Sequence, residues 1–227
     1  MTPDPLSRFP AFATLGPAER AALLAGAKEV VAPPGTVLMR KGEAADRLAL
    51  LLEGRLKVSA ASVEGRLMTF RLVEPPDLVG EVAVLDGGLR SADVSAVLRS
   101  RLLLLPAAGC RAAVRAFPAV AEAMLRLVCS RLRDTSDGLE RLATQRLPVR
   151  LAHLLLRLGR EFGRPSAGGA VQLPMRLSQE ELGAMVAATR EAVNKQLRQW
   201  QGEGLLDLAG GRLVLRRPAA LVALLDG

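Results

Sequence analysis

The residue types best suited to chemistry fall in separate stretches of the chain. From Gly80 to Val94 it reads Gly-Glu-Val-Ala-Val-Leu-Asp-Gly-Gly-Leu-Arg-Ser-Ala-Asp-Val. This spells one short helical turn, a glycine-rich bend, and Arg90-Ser91 opening a strand. Backbone amides at a helix start, a guanidinium and a small hydroxyl together make an anion cradle. Glu81, acceptor-only when ionised, suits sugar hydroxyls. The same residues equally suit a plain hairpin in which Arg90 pairs with Glu81 or Asp86, and the chemistry alone divides the two readings evenly. Farther on, Arg190, Glu191, Asn194, Lys195 and Arg198 lie at i, i+1, i+4, i+5 and i+8, one polar helical face. Arg forks onto guanine O6/N7 and Glu accepts from cytosine N4, so this face can read a DNA major groove. The alternative is a solvated face carrying a Glu191–Lys195 pair, worth only about 0.3–0.5 kcal/mol.

Other reactive types point away from catalysis. His153 is the only histidine, with no acid or thiol spaced to join it, and is expected at the surface. Cys110 and Cys129 have no metal-ligand spacing and read as buried free thiols. The chain has no nucleophile elbow, no metal spacing and no NTPase-type phosphate loop, so an enzyme is not expected. With no N-terminal cysteine cluster and no histidine near the strands, neither haem nor an iron–sulfur cluster is expected, nor any metal.

The elements that must position these residues differ along the chain. Leu6 to Lys28 reads as short helices, with Thr14 a candidate cap and Leu15, Ala21, Leu23 and Leu24 apolar. Val30-Val31, Thr36–Met39, Leu48–Leu52, Leu56–Ser59, Leu67–Leu72, Ala92–Leu98 and Leu102–Leu105 are short apolar runs. Gly35, Gly42, Gly54 and Glu64-Gly65 supply the corners between them, which predicts a rolled antiparallel sheet. Between Pro118 and Pro148 a helix is predicted over 117–147. Its Leu125, Val128, Leu132, Thr135, Leu139 and Leu142 alternate steps of three and four, an a/d seam suited to pairing with a copy of itself. Thr135 with Ser136 interrupts that seam, where a hydroxyl costs stability unless something binds it.

After Pro148, Leu151, Leu154, Leu155, Leu158 and Phe162 mark one helical face, and 163–171 reads as a flexible loop. Ser178 with Glu181 forms a capping box, and Leu182, Met185 and Val186 give that helix its apolar side. Ala187-Ala188 makes a tight turn, Thr189 caps the next helix, and Val193, Leu197 and Trp200 face inward. The pair reads as a helix-turn-helix. Leu205–Leu208 and Arg212–Leu215 around Gly210-Gly211 form a hairpin wing, whose Arg212, Arg216 and Arg217 suit phosphates.

The net charge of +8 is uneven. Residues 146–227 carry 12 Lys or Arg against 7 Asp or Glu, whereas 1–145 carries 19 against 16. The basic end points to a polyanionic partner. No apolar run suits a membrane span and the N-terminus lacks signal-peptide order, so a cytoplasmic protein without a membrane partner is expected.

Residues 30–105 resemble a cyclic nucleotide-binding β-roll, and 80–94 resemble its phosphate-binding cassette. The seam helix and the Thr189-Arg190-Glu191-Ala192-Val193-Asn194-Lys195 run are similar to those of the cyclic AMP receptor protein and fumarate-nitrate regulator (CRP/FNR) family, over roughly residues 10–220. The resemblance implies an α+β fold. Residues 1–116 would form the roll, 117–147 the dimerisation helix and 148–227 a winged helix-turn-helix. It further implies that Gly80, Glu81, Val82, Arg90 and Ser91 hold a cyclic nucleotide. Arg90 and Ser91 would take the phosphate and Glu81 the ribose 2′-hydroxyl, while Thr135 and Ser136 from the two copies of a homodimer would meet the base. Cyclic AMP (cAMP) is the implied effector, with cyclic GMP (cGMP) next. The implied DNA-binding residues are Ser178, Thr189, Arg190, Glu191, Asn194, Lys195 and Arg198 on GTGA-like palindromic half-sites, with RNA polymerase a further partner. Three departures stand out. Pro75-Pro76-Asp77 replaces the usual Pro-Gly-Asp, so that corner is expected to be rebuilt without loss of the pocket, and Pro76 keeps open a family member that binds DNA without cyclic nucleotide or answers another effector. Lys195 replaces an Arg, and Ala187 replaces the customary turn glycine.

Overall fold

The computed structural model describes residues 4–62, 67–209 and 212–225. The predicted turns at Glu64-Gly65 and Gly210-Gly211 lie outside the described residues. The chain forms two compact units, Met1–Thr135 and Ser136–Gly227.

In the first unit, 3₁₀ turns at Pro5–Arg8 and Pro10–Phe12 precede helix α1 (Pro17–Leu24). Gly16, not Thr14, is the α1 N-cap, and no side chain caps it. Strands β1 (Lys28–Ala32), β2 (Val37–Met39), β3 (Arg47–Glu53), β4 (Leu56–Ala61), β5 (Leu67–Val73) and β6 (Asp77–Val79) follow. Then come α2 (Glu81–Asp86), β7 (Asp93–Ala96), β8 (Ser100–Pro106), α3 (Ala107–Ala116) and the long α4 (Pro118–Thr144). The strands make two antiparallel sheets, β1-β8-β3-β6 and β2-β7-β4-β5, the predicted roll.

Strand β3 shows why its sequence is an unbroken apolar run. Leu48 and Leu50 pack with Phe9, Phe12, Leu23, Cys110, Val120 and Met124. The alternate residues Ala49 and Leu51 pack with Leu56, Val73, Val79 and Leu102. Side chains alternate faces along a strand, so a strand buried on both sides must be apolar at every position. Gly35, Gly42 and Gly54 have φ of 83°, 87° and 95°, the left-handed corners expected of them. At Gly54 a Cβ would meet the Arg99 carbonyl at 2.5 Å, so that corner is closed to larger residues.

The second unit begins within α4 and continues with α5 (Leu147–Phe162), β9 (Arg164–Pro165), a 3₁₀ turn at Ala167–Gly169 and β10 (Val171–Arg176). Then follow α6 (Gln179–Val186), α7 (Arg190–Gly202), β11 (Leu206–Ala209), β12 (Arg212–Leu215) and α8 (Pro218–Ala223). Pro148 opens the first turn of α5, where its missing N–H costs nothing. Leu151, Leu154, Leu155 and Leu158 are buried as their spacing predicts. The predicted loop 163–171 instead holds β9 and a 3₁₀ turn, and joins the antiparallel sheet β11-β12-β10-β9. His153 is half-buried rather than at the surface. Of the free thiols, Cys110 is buried as expected, whereas Cys129 is only partly covered. Among the described residues no helix is long and apolar enough to cross a membrane.

Candidate functional site

A pocket in the first unit is lined by Met39, Arg71, Gly80, Glu81, Arg90 and Ser91 together with neighbouring residues, Val82 of α2 among them. The predicted cassette residues therefore converge. Gly80 ends β6 and caps α2 with φ of 87°. A Cβ there would fall 2.6 Å from Arg90 Nη1 and 2.9 Å from Met39 Cε, so glycine lets the backbone meet the guanidinium.

Arg90 is only 5% exposed. Its Nη1 donates to the Gly80 carbonyl at 3.1 Å and its Nη2 to the Arg47 carbonyl at 2.6 Å. The nearby carboxylate of Asp46 lies at 3.4 Å and gives its better bonds to Arg47. Burial lowers the Arg90 pKa, with the Asp46 charge opposing that shift, and an arginine stays cationic regardless. Neither Glu81 nor Asp86 pairs with Arg90, so the plain-hairpin reading is not what forms. Asp86 instead accepts the Gly88 amide at 2.8 Å. A buried cation held mainly by neutral carbonyls, with Asp46 only loosely paired, leaves positive charge partly offset at the pocket wall, which favours an anion. Ser91 is exposed beside it, and Val82 is 40% exposed at the rim.

Glu81 is nearly buried, with its nearest cation, Arg131 Nε, at 3.9 Å. Its carboxylate is thus available to hydroxyl donors. Thr135 and Ser136 are both exposed on α4, outside the lining of this pocket. The Thr135 hydroxyl donates to the Arg131 carbonyl at 2.8 Å, a bond internal to the helix. Along α4 the seam residues Leu125, Leu132 and Leu139 are 63%, 65% and 67% exposed, an apolar stripe on the helix surface. Sequence reasoning missed Arg71, whose place in the pocket depends on the β4–β5 register and leaves no mark in its own neighbourhood. At the Pro75-Pro76-Asp77 corner, Asp77 pairs with Arg71 and Arg131.

In the second unit the capping box is present, with Ser178 accepting the Glu181 amide and Glu181 reaching back to the Ser178 amide. The turn that follows is tight. Ala187 has φ of 50°, the one non-glycine among the described residues in the left-handed region. A Cβ on Gly183 would meet the Ala188 carbonyl at 2.5 Å, so α6 touches the turn through bare backbone, a contact the sequence reading also missed. Thr189 caps α7 by accepting the Ala192 amide at 3.2 Å. Val193, Leu197 and Trp200 are buried at 0%, 1% and 2% exposure, which turns Arg190, Glu191, Lys195 and Arg198 to solvent and leaves Asn194 half-exposed. Among the described residues those four charged side chains form no ion pair, so the Glu191–Lys195 bridge of the solvated-face reading is not made. Of the wing arginines, Arg212 and Arg217 are exposed, while Arg216 is tied to Asp207 at 2.6 Å.

Residues 29–116 match the cyclic nucleotide-binding domain and residues 149–224 the Crp-like helix-turn-helix domain. The chain is 30% identical over 210 residues to a CRP-like cAMP-activated global transcriptional regulator of Mycobacterium tuberculosis, covering 92% of this chain and 93% of that protein. It is 29% identical to the cyclic AMP receptor protein of Thermus thermophilus, covering 93% and 94% of the two chains. A crystal structure of a CRP/FNR-family transcriptional regulator from Thermus thermophilus superposes with a TM-score of 0.74 at 29% identity, covering 88% of this chain and 99% of that one. A β-roll with a cyclic nucleotide cassette, a long helix and a winged helix-turn-helix thus stand in one chain, which belongs to the CRP/FNR family of DNA-binding transcription regulators.

Proposed function

We propose that this chain acts as a homodimer that binds cAMP and, so loaded, reads GTGA-like half-sites on double-stranded DNA. The buried Arg90, cationic and paired with a carboxylate only at 3.4 Å, beside a wall that only glycine can form, carries the proposal. A cyclic phosphate fits that charge, with Ser91 as a hydroxyl donor and Glu81 accepting from the ribose. Thr135 and Ser136 supply the hydroxyls for the base, one from each copy, once the exposed leucine stripe of α4 is covered by its twin. The names of the relatives from Mycobacterium tuberculosis and Thermus thermophilus support cAMP as the effector. On DNA, Arg190 and Glu191 meet base edges, Asn194, Lys195 and Arg198 extend the same face, and Ser178 and Thr189 stand at helix starts beside the phosphates. The bound dimer then offers its surface to RNA polymerase.

Calorimetric titration with cAMP, with cGMP alongside, tests the pocket. Micromolar binding of cAMP with weaker cGMP supports it, and no heat from either rejects it. A second reading has an observation of its own. Pro75-Pro76 stands where related cassettes carry Pro-Gly, and a corner so changed suits a regulator that binds DNA without a nucleotide. Equal DNA affinity with and without cAMP would select that reading.

A further inference from the structure

One carboxylate beside the pocket holds two arginines. Arg71 Nη1 donates to Asp77 Oδ2 at 2.6 Å, and Arg71 Nη2 to the Leu78 carbonyl at 3.0 Å. Arg131, on α4, gives its Nη2 to Asp77 Oδ1, which also accepts the Leu78 amide at 2.7 Å. Asp77 therefore accepts three hydrogen bonds, two of them from cations. Glu81 is the opposite case, its nearest cation Arg131 Nε lying at 3.9 Å, beyond hydrogen-bond range. That Nε is itself buried with no hydrogen-bond partner. A buried N–H without an acceptor is unfavourable, and the Glu81 carboxylate, paired with it by charge at 3.9 Å but not hydrogen-bonded to it, would satisfy it on closer approach.

We infer that Asp77 competes with Glu81 for Arg131, and that this competition sets how tightly the pocket holds its nucleotide. The inference rests on the cyclic nucleotide reading of the pocket. A ligand on Glu81 shuts water away from that carboxylate, which raises the cost of leaving it without a hydrogen-bonded cation. Arg131 then gains by turning from Asp77 toward Glu81. Because Arg131 is carried by α4, its change of partner acts on the helix that bears the exposed leucine stripe. Asp77 thus holds back the ligand-bound arrangement, and an equilibrium held back in this way lowers apparent affinity.

The test is Asp77→Asn, which keeps the acceptor for the Leu78 amide and removes the charge. Its cAMP affinity, by calorimetry on the full chain, is expected to rise roughly threefold to tenfold. The gain is expected to vanish when Asp77→Asn is made in a Glu81→Gln background. Should Asp77→Asn lose its cooperative melt, Asp77→Ser is read instead. A second readout needs no nucleotide. The Arg131 Nε–H, followed by proton–nitrogen NMR, is expected to gain protection from exchange in Asp77→Asn and to lose it again with Glu81→Gln. Unchanged protection overturns the competition, and unchanged or weaker cAMP affinity overturns its role in the pocket. A parent chain that binds neither cAMP nor cGMP would sink the nucleotide reading instead, and the NMR arm would still decide the competition.

Discussion

Arg90 and Gly80 form a single device, since the guanidinium reaches the pocket only because nothing stands on the Gly80 α-carbon. Replacing Arg90 by Ala removes a charge-assisted contact worth about 1.5–3 kcal/mol, so cAMP affinity should fall about tenfold or more by calorimetry. An Arg90→Ala chain of unchanged affinity would undo the pocket assignment. In the other unit, Gly183→Ala drives a methyl against the Ala188 carbonyl, 2.5 Å away. That overpacking should destabilise the helix-turn-helix by about 1–3 kcal/mol in thermal melts and weaken DNA binding while nucleotide binding persists. His153 gives a pH signature. Burial, helped by Arg141 and Arg160, lowers its pKa below the ordinary 6.5. The unfolded chain therefore takes up the proton first, and stability should fall as pH drops through about 6.5 toward the lower folded value. His153→Gln should flatten that slope. Cassette residues were legible in the sequence because chemistry ties them to one another locally. Arg71 and Gly183 were not, because each acts on partners fixed only by strand register or helix packing.

At the scale of elements, periodicity was readable wherever one face alone is buried. The inward Val193, Leu197 and Trp200 of α7 follow this rule, whereas the α4 seam shows its period on an exposed face. Helix α3 and strand β10 escaped notice. Alanines dominate α3 and blunt its contrast, while Pro174 within β10 argues against a strand when no partner is in view. Strand β6 is too short, at three residues, to show alternation. The exposed α4 stripe yields its own prediction. Leu132→Asp places a charge where the twin helix should sit, so sedimentation should show monomers where the parent chain gives dimers. Dimers of undiminished strength would mean that the copies pair elsewhere. On α7, Arg190→Ala should cost about 1–3 kcal/mol on the preferred half-site and relax its base preference in a competition assay. An unchanged preference would move base reading to other side chains.

Across the whole molecule, the ligand pocket and the DNA-reading face belong to different compact units, and α4 is the continuous element that runs through the boundary between them. A ligand can shift DNA affinity only by binding the DNA-competent state more tightly, and such couplings usually amount to roughly 5- to 150-fold. The basic second unit implies that absolute affinity falls steeply with salt, so the coupling must be read at one fixed ionic strength. The most direct measurement is a fluorescence anisotropy titration of a palindromic duplex with GTGA-like half-sites, with and without saturating cAMP. The account predicts that cAMP tightens binding at least about fivefold in the parent chain and has no effect in Arg90→Ala. Equal affinity with and without cAMP in the parent chain would contradict it.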